Sequence, residues 1–337
     1  KPFPPKLSVA ITGTNGKTST TWYLSQICKK NKISSKLIGT LGYYVNLKKI
    51  NDSTLTTPSN LDLYQFAYSS KKSNYYFISE ASSHGLHQQR FKNINIDIAA
   101  ITNISHDHLD YHQNFRSYVN SKFLLFTKNL NSKGVAVINT RLKNFKTLEN
   151  KLKKRKIKII SYGTGDVYFF KENHLNLFIF GKKFKLEKFN LENNIQKENL
   201  ECAIACALAM KIKPNKIVNT LHKLKPASGR FEEIIYKKKS SKIIIDYAHT
   251  PEAIKHVLQT YTYKSFKPSI VFGCGGERDK GKRKKMGIIA QKYAEKVYLT
   301  DDNPRNENPD LIRKSIKKYC PKGIEVSSRR KAIHYAI

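Results

Sequence analysis

The chain has 337 residues, enough for two domains that each bury a core, and its 39% hydrophobic content with 19 tyrosines and 17 phenylalanines fits a folded, soluble protein. Its 62 Lys+Arg against 25 Asp+Glu give a formal net charge of +37, but the basic residues run along the whole length beside many Asn, Ile and Tyr, as codon bias in an AT-rich genome produces. That spread argues against a nucleic-acid-binding tail while still drawing acidic, phosphate-bearing substrates, and no run approaches the roughly 20 apolar residues that span a bilayer.

In chain order, the apolar run Leu7-Ser8-Val9-Ala10-Ile11 reads as a strand and Trp22-Tyr23-Leu24-Ser25-Gln26-Ile27 as helix. Between them stands Thr12-Gly13-Thr14-Asn15-Gly16-Lys17-Thr18-Ser19-Thr20-Thr21. Strand, glycine-rich turn and helix together predict a nucleoside triphosphate site. Backbone N–H groups and the positive helix end surround phosphate oxygens, Lys17 reaches the terminal phosphates and the Thr18 hydroxyl holds Mg²⁺. The longer consensus wants a glycine where Ile11 stands, so the match is to a compact Gly-x-x-Gly-Lys-Thr variant.

Further short apolar runs end in polar residues: Tyr75-Tyr76-Phe77-Ile78 before Glu80, Ile96 to Ile101 before Asn103, and Gly134-Val135-Ala136-Val137-Ile138 before Asn139. These read as buried parallel strands, and open α/β sheets place ligands just beyond strand carboxyl ends. Residues 163–192 read as an irregular β excursion. Cys202 and Cys206 lie one helical turn apart on an apolar stretch, a buried helix face rather than a metal site, and the five cysteines show no Cys-x-x-Cys pair, which predicts a reducing cytosol. The helical pattern stops around Lys223 to Ser228, dividing the chain into 1–226 and 227–337. Three more runs follow: Lys242 to Ile245 before Asp246, Ser269 to Phe272 before Gly273, and Lys296 to Leu299 before Thr300. They predict a second doubly wound layer whose three following segments share one sheet edge.

Glu80, at a strand end, is placed to bind the Mg²⁺ held by Thr18; the alternative is a helix-capping Glu-Ser-Ser turn. In Asn103 to His112 three histidines and two aspartates lack common zinc spacings, so a histidine assisting a magnesium centre is the better reading. In the second half, Arg278 and Arg305 are candidates to grip a carboxylate through paired N–H donors, although Asp-Asn-Pro and Gly-Gly are also ordinary turn sequences.

Taken together these segments resemble the Mur ligases, and within them the branch that adds the third residue to the muramyl peptide. Thr12 to Thr18, Thr56-Thr57-Pro58, Glu80 to Arg90, Asn103 to His112, Gly229-Arg230-Phe231-Glu232, Asp246 to Pro251, Gly273 to Arg283 and Asp302-Asn303-Pro304-Arg305 stand in the family's order. The resemblance implies an α/β central ATPase-like domain followed by a Rossmann-like domain. It also implies an ATP- and Mg²⁺-dependent ligase that phosphorylates the D-glutamyl carboxylate and lets an amine attack the acyl phosphate. Gly13, Thr14, Asn15, Gly16, Lys17, Thr18 and Ser19 would hold ATP, with Asn199 near the adenine and Arg230 and Asp246 toward the nucleotide. Thr18, Glu80, His108 and Lys122, the last as a carbamate, would ligate Mg²⁺, and Lys17, Glu80, His108 and Lys122 would carry the chemistry. Thr56, Thr57, Ser82, Gln88 and Arg90 would hold the UDP-muramyl dipeptide. Arg278, Asp302, Asn303, Pro304 and Arg305 would take meso-diaminopimelate, whose distal carboxylate L-lysine lacks.

The resemblance further implies a cytoplasmic monomer acting on small molecules, with neither nucleic acid nor membrane as partner. The start at Lys1 without Met, and the stop at Ile337 before a Gly-Lys-Gly-His-Glu motif, suggest an internal piece of the enzyme. A folylpolyglutamate synthetase or another Mur ligase is the enzymatic alternative, and a basic nucleic-acid-binding module the non-enzymatic one.

Overall fold

The computed structural model describes residues 3–69, 74–187, 189, 191, 193–236, 241–262, 266–277 and 279–337. The chain forms two compact units, one of Lys1–Ile104 with Arg116–Ala227 and one of Ser105–Phe115 with Ser228–Ile337.

The first unit is built on an eleven-stranded sheet. Its strands are β1 (Leu7–Thr12), β2 (Ser35–Gly39), β3 (Gly42–Val45), β4 (Lys48–Asn51), β5 (Tyr76–Glu80), β6 (Ile96–Ile101), β7 (Leu130–Asn139), β8 (Lys158–Tyr162), β9 (Val167–Lys171), β10 (Leu175–Ile179) and β11 (Lys182–Lys185). Their order is β11-β10-β9-β8-β7-β6-β1-β5-β2-β3-β4. The middle is parallel, with β1 between β5 and β6, and antiparallel strands extend both edges.

Side-chain alternation along the central strands builds two cores. Val9, Ile11, Ile78, Ile98, Ala100 and Val137 face one side, where helices Lys17–Lys30 and Asn194–Ala209 bring Leu24, Ile27, Cys202 and Cys206. Ala10, Phe77, Ala99, Ile101, Ala136 and Ile138 face the other, against Leu63, Phe66, Val119 and Phe123 of helices Asn60–Tyr68 and Phe115–Leu124. Burial on both faces is why these strands read as continuous apolar runs. All five cysteines are free and buried.

Within the excursion expected at residues 163–192, residues 167–185 are regular instead. β9, β10 and β11 form an antiparallel meander, and Phe180 and Gly181 (φ 48° and 79°) make the two-residue turn between the last two. Two consecutive positive φ values match the strand twist, a geometry that Phe-Gly does not advertise as Asn-Gly does.

In the second unit β12 (Glu232–Tyr236) pairs antiparallel with β13 (Ser241–Ile245), while β14 (Ile270–Phe272), β15 (Val297–Leu299) and β16 (Gly323–Glu325) form a separate parallel sheet. This corrects the expectation of one shared edge. The segments after β14 and β15 leave adjacent parallel strands, but Asp246 follows an arm of a hairpin whose Ile245 is exposed. An apolar run alone does not distinguish the two cases. The core of the parallel sheet joins Phe272, Val297 and Leu299 to Met286, Ala290, Ile312 and Ile316 of helices Gly281–Tyr293 and Pro309–Lys317. Among the described residues no helix is long and apolar enough to cross a membrane.

Candidate functional site

The turn after β1 depends on its glycines. Gly13 (φ 143°) lies so near β6 that a Cβ there would stand 1.8 Å from Thr102 Oγ1, and Gly16 (φ 86°) so near helix Asn194–Ala209 that its Cβ would stand 2.1 Å from Asn199 Oδ1. A left-handed residue with no room for a side chain must be glycine. The loop is pinned from β6: Asn103 O accepts from Thr14 N at 2.8 Å, Asn103 Oδ1 from Asn15 N at 2.9 Å, and Asn15 O from Thr102 Oγ1 at 2.6 Å. The Thr14 hydroxyl meets Tyr118 OH at 2.8 Å.

Two ammonium groups converge on this turn. Lys17 Nζ donates to Gly13 O and Thr14 O, each at 2.9 Å, and Lys122 Nζ donates to the same Gly13 O at 2.8 Å. Lys122 is 1% exposed and lies 4.4 Å from the centre of the Tyr118 ring. Two positive groups on one carbonyl, beside the start of helix Lys17–Lys30 with Ser19 buried in its first turn, make an electropositive cradle suited to an anion.

Glu80, 2% exposed at the end of β5, closes the other side. Its Oε2 accepts from Thr18 Oγ1 at 3.0 Å and from Thr40 Oγ1 at 3.2 Å, and its Oε1 from Thr40 N at 2.9 Å. A Cβ on Gly39 would stand 2.1 Å from Oε1, so the carboxylate occupies the space a side chain would take. One carboxylate beside one hydroxyl is the oxygen set Mg²⁺ takes when phosphate oxygens and waters complete its shell. Among the described residues there is no group of three or more His, Cys, Asp or Glu side chains that could hold a metal alone.

The five residues expected to hold the muramyl peptide form one connected group. Thr40 Oγ1 lies 3.1 Å from Thr56 Oγ1, Thr57 Oγ1 donates to Glu80 O at 2.8 Å and accepts from Ser82 N at 2.9 Å, and Arg90 donates to Thr57 O. Arg90 Nε also donates to Gln88 Oε1 at 3.0 Å. Ser82 caps helix Ser83–His87 by accepting from Gly85 N at 3.1 Å, so the capping turn weighed as an alternative exists alongside the carboxylate arrangement.

The remaining candidates lie in the second unit. His108 (φ 54°) starts the short helix Leu109–His112, its Nε2 3.3 Å from Asp107 Oδ2, and His249 Nε2 is 3.8 Å from the same oxygen. Burial works to raise the Asp107 carboxyl, but the hydrogen bond from His249 and the charges of His108, His249 and Lys282 outweigh it and hold the group well below the usual range. Asp246 accepts from Phe231 N at 2.9 Å, and its carboxyl is raised by burial that this bond and Arg230 only partly offset. The Arg230 guanidinium lies 4.2 Å from the centre of the Tyr247 ring. Arg305 (φ 52°) is exposed and its Nη1 donates to Gly276 O at 2.6 Å; Asn303 O accepts from Gly276 N at 2.9 Å. Asp302 is exposed, with Arg329 3.8 Å away, and Pro304 stands between Asn303 and Arg305 in the same loop. Arg278 lies outside the described residues.

Residues 11–207 match the Mur ligase middle domain and residues 229–337 the Mur ligase, glutamate ligase domain. The chain belongs to the Mur ligase family. This Mur ligase is 37% identical to the UDP-N-acetylmuramoyl-L-alanyl-D-glutamate--2,6-diaminopimelate ligase of Anaplasma marginale (strain St. Maries), over 99% of its own length and 71% of that protein's. It is similar to the solved structure of a ligase of the same name, with 32% identity and a TM-score of 0.68 over 99% of this chain and 70% of the other. Mycobacterium tuberculosis folylpolyglutamate synthase, solved with ADP and AMPPCP, reaches a TM-score of 0.78 over 98% and 83% of the two chains at 17% identity, a likeness of fold alone.

Sequence reasoning missed three residues of this Mur ligase: Gly39, which leaves room for the Glu80 carboxylate, Thr40, which bonds it, and Tyr118, which meets Thr14. Thr40 follows β2, so the rule that found Glu80 at a strand's carboxyl end would also have found it. Tyr118 carries no such signal, because it reaches the turn from a helix 104 positions away in sequence.

Proposed function

We propose that this Mur ligase uses ATP to join meso-diaminopimelate to the D-glutamyl carboxylate of UDP-N-acetylmuramoyl-L-alanyl-D-glutamate, in cytoplasmic synthesis of the peptidoglycan precursor. The observation that carries the reading is the 37% identity across nearly the whole chain to a ligase named for that reaction. The charge arrangement of the first unit supports it. Gly13 to Ser19 surround the triphosphate, Lys17 neutralises its terminal phosphates, and Asn199, against Gly16, lies toward the adenine. Arg230 and Asp246 are assigned to the same nucleotide by the motif each occupies.

Thr18 and Glu80 fit Mg²⁺, which would supply charge neutralisation on the phosphates; carbamylation of Lys122 would replace its ammonium at Gly13 O with an anionic ligand, and His108 is assigned to the ion by the motif it occupies. Thr56, Thr57, Ser82, Gln88 and Arg90 hold the muramyl peptide so that its glutamyl carboxylate lies in line with the γ-phosphorus. Attack there forms an acyl phosphate and releases ADP. The amine then adds to the acyl carbon, and collapse of the tetrahedral intermediate forms the amide and expels phosphate. Arg305, with Arg278 and the turn of Asp302, Asn303 and Pro304, selects the amine by pairing with its distal carboxylate.

Phosphate release by the full-length protein, measured with ATP, Mg²⁺, the muramyl dipeptide nucleotide and competing amino acids, tests this. Release should require meso-diaminopimelate and be poor with L-lysine. Arg305→Ala should shrink that preference by about tenfold to a hundredfold, the size expected when a charged pairing is lost. Release independent of the amino acid would overturn the reaction, and unchanged discrimination by the variant would overturn the role of Arg305.

A further inference from the structure

The loop after β14 and the loop after β15 touch backbone to backbone: a Cβ on Gly276 would stand 1.8 Å from Pro304 O. Two of the bonds between them are Gly276 N to Asn303 O at 2.9 Å and Arg305 Nη1 to Gly276 O at 2.6 Å. Arg305 is exposed and holds a left-handed backbone, a conformation that persists only where neighbours impose it. Its own N–H donates to Asn303 Oδ1 at 3.3 Å, and the turn is tied to the opposite loop by Glu307. Glu307 Oε1 accepts from Glu277 N at 2.5 Å and from Arg283 Nη2 at 2.9 Å, while the Glu307 N–H donates to Pro304 O at 3.0 Å. Arg283, with a side chain only 7% exposed, also reaches Gly275 O at 3.3 Å, and Asn306 Nδ2 donates to Glu277 Oε1 at 2.7 Å. One carboxylate therefore ties the turn that carries Arg305 to the opposite loop and to the buried arginine of helix Gly281–Tyr293.

We infer that Glu307 is a positioning residue for amino-acid selection: it sets the spacing of the two loops and thereby where the Arg305 guanidinium meets the far carboxylate of the incoming diamino acid. The inference rests on the proposed function for the identity of the amino acid, but its geometric part stands apart from it. A charged acceptor of two hydrogen bonds is hard to replace by water in a half-buried turn, and a misplacement of about 1 Å in a bidentate partner is enough to weaken recognition.

The test compares Glu307→Ala, Glu307→Gln and the wild type in the full-length protein. In Glu307→Ala the KM for meso-diaminopimelate should rise about tenfold while kcat and the KM values for ATP and the muramyl nucleotide change less than about twofold. Glu307→Gln keeps a side-chain oxygen for the Glu277 amide and should recover most of the loss. Adding Glu307→Ala to Arg305→Ala should cost little more than Arg305→Ala alone, because both act through one guanidinium. Equal rises in all three KM values, or additive effects in the double variant, would overturn the inference. Amide hydrogen exchange supplies a readout that needs no turnover. The Glu277 amide should lose protection in Glu307→Ala while β14 to β16 keep theirs, and unchanged protection would refute the tie even if the wild type proved to use a different amino acid. If Glu307→Ala fails to fold, the KM and exchange comparison is made on Glu307→Gln and Glu307→Asp, where equal values for both variants and the wild type count against it.

Discussion

The turn after β1 and the paired loops after β14 and β15 all occupy carboxyl ends of parallel strands, yet they are held by different means. In the first unit Thr18, Glu80 and Lys122 are 6%, 2% and 1% exposed, and glycines at 13, 16 and 39 let backbone and polar side chains pack directly against one another. In the second unit Arg305 is exposed on a loop after a strand of a three-stranded sheet, and a carboxylate on the same turn, Glu307, bonds the opposite loop. Groups that face developing phosphate charge gain from burial, because fixed dipoles in a dry site need no reorganisation. The group proposed to select among amino acids is at the surface, where one side chain, Glu307, links its turn to the neighbouring loop.

The contrast breaks most sharply at Lys17. Lys17→Ala should lower phosphate release by about 10³-fold with little change in the thermal midpoint; a loss below tenfold would mean that the turn does not neutralise phosphate charge. Gly39→Ala sharpens it next, since the added methyl would stand 2.1 Å from Glu80 Oε1 and the carboxylate must move. A fall of about a hundredfold in kcat is expected, with KM for the amino acid unchanged; an active Gly39→Ala enzyme would show that Glu80 tolerates displacement.

The smallest effect concerns burial without chemistry. Glu201, 1% exposed, accepts from Arg141 Nη1 at 2.9 Å and from Phe169 N at 2.8 Å, yet burial pushes its carboxyl up to about 7. Arg141, more exposed, is held above its ordinary range: burial lowers it, but Glu201 outweighs that. The folded-state value of Glu201 lies above the unfolded one of 4.5, so its favourable contribution is complete below that pH and is lost as pH rises through about 7. Glu201→Gln should therefore gain on the wild type in thermal midpoint by a few degrees between about pH 5 and about pH 8. A gap independent of pH would show that the Arg141 pairing fully compensates burial.

Much of the first site was legible because its signals are local. Gly13, Gly16, Lys17 and Thr18 stand within one turn, and Glu80, Asn103 and Asn139 each follow an apolar run that does become a parallel strand. The meander of β9 to β11 was not legible in its regularity, since Phe180-Gly181 carries a turn geometry that its composition does not signal. The run Lys242 to Ile245 has the composition of a buried parallel strand and became a partly exposed hairpin arm, because its backbone pairs with Glu232 to Tyr236.

What the sequence determined by itself was the α/β alternation, the glycine-rich turn after β1 and the family, all of which depend on residue types at short, fixed spacing. Only the tertiary structure decided that Lys17 and Lys122 share the Gly13 carbonyl, that Thr40 and Thr18 grip one carboxylate, that Ser105–Phe115 packs with the second unit and that Glu307 fastens the loop of Arg305. These are contacts between positions tens to hundreds of residues apart. They exist because parallel strands bring their carboxyl ends to one edge of a sheet, a consequence of strand order that no stretch of sequence contains.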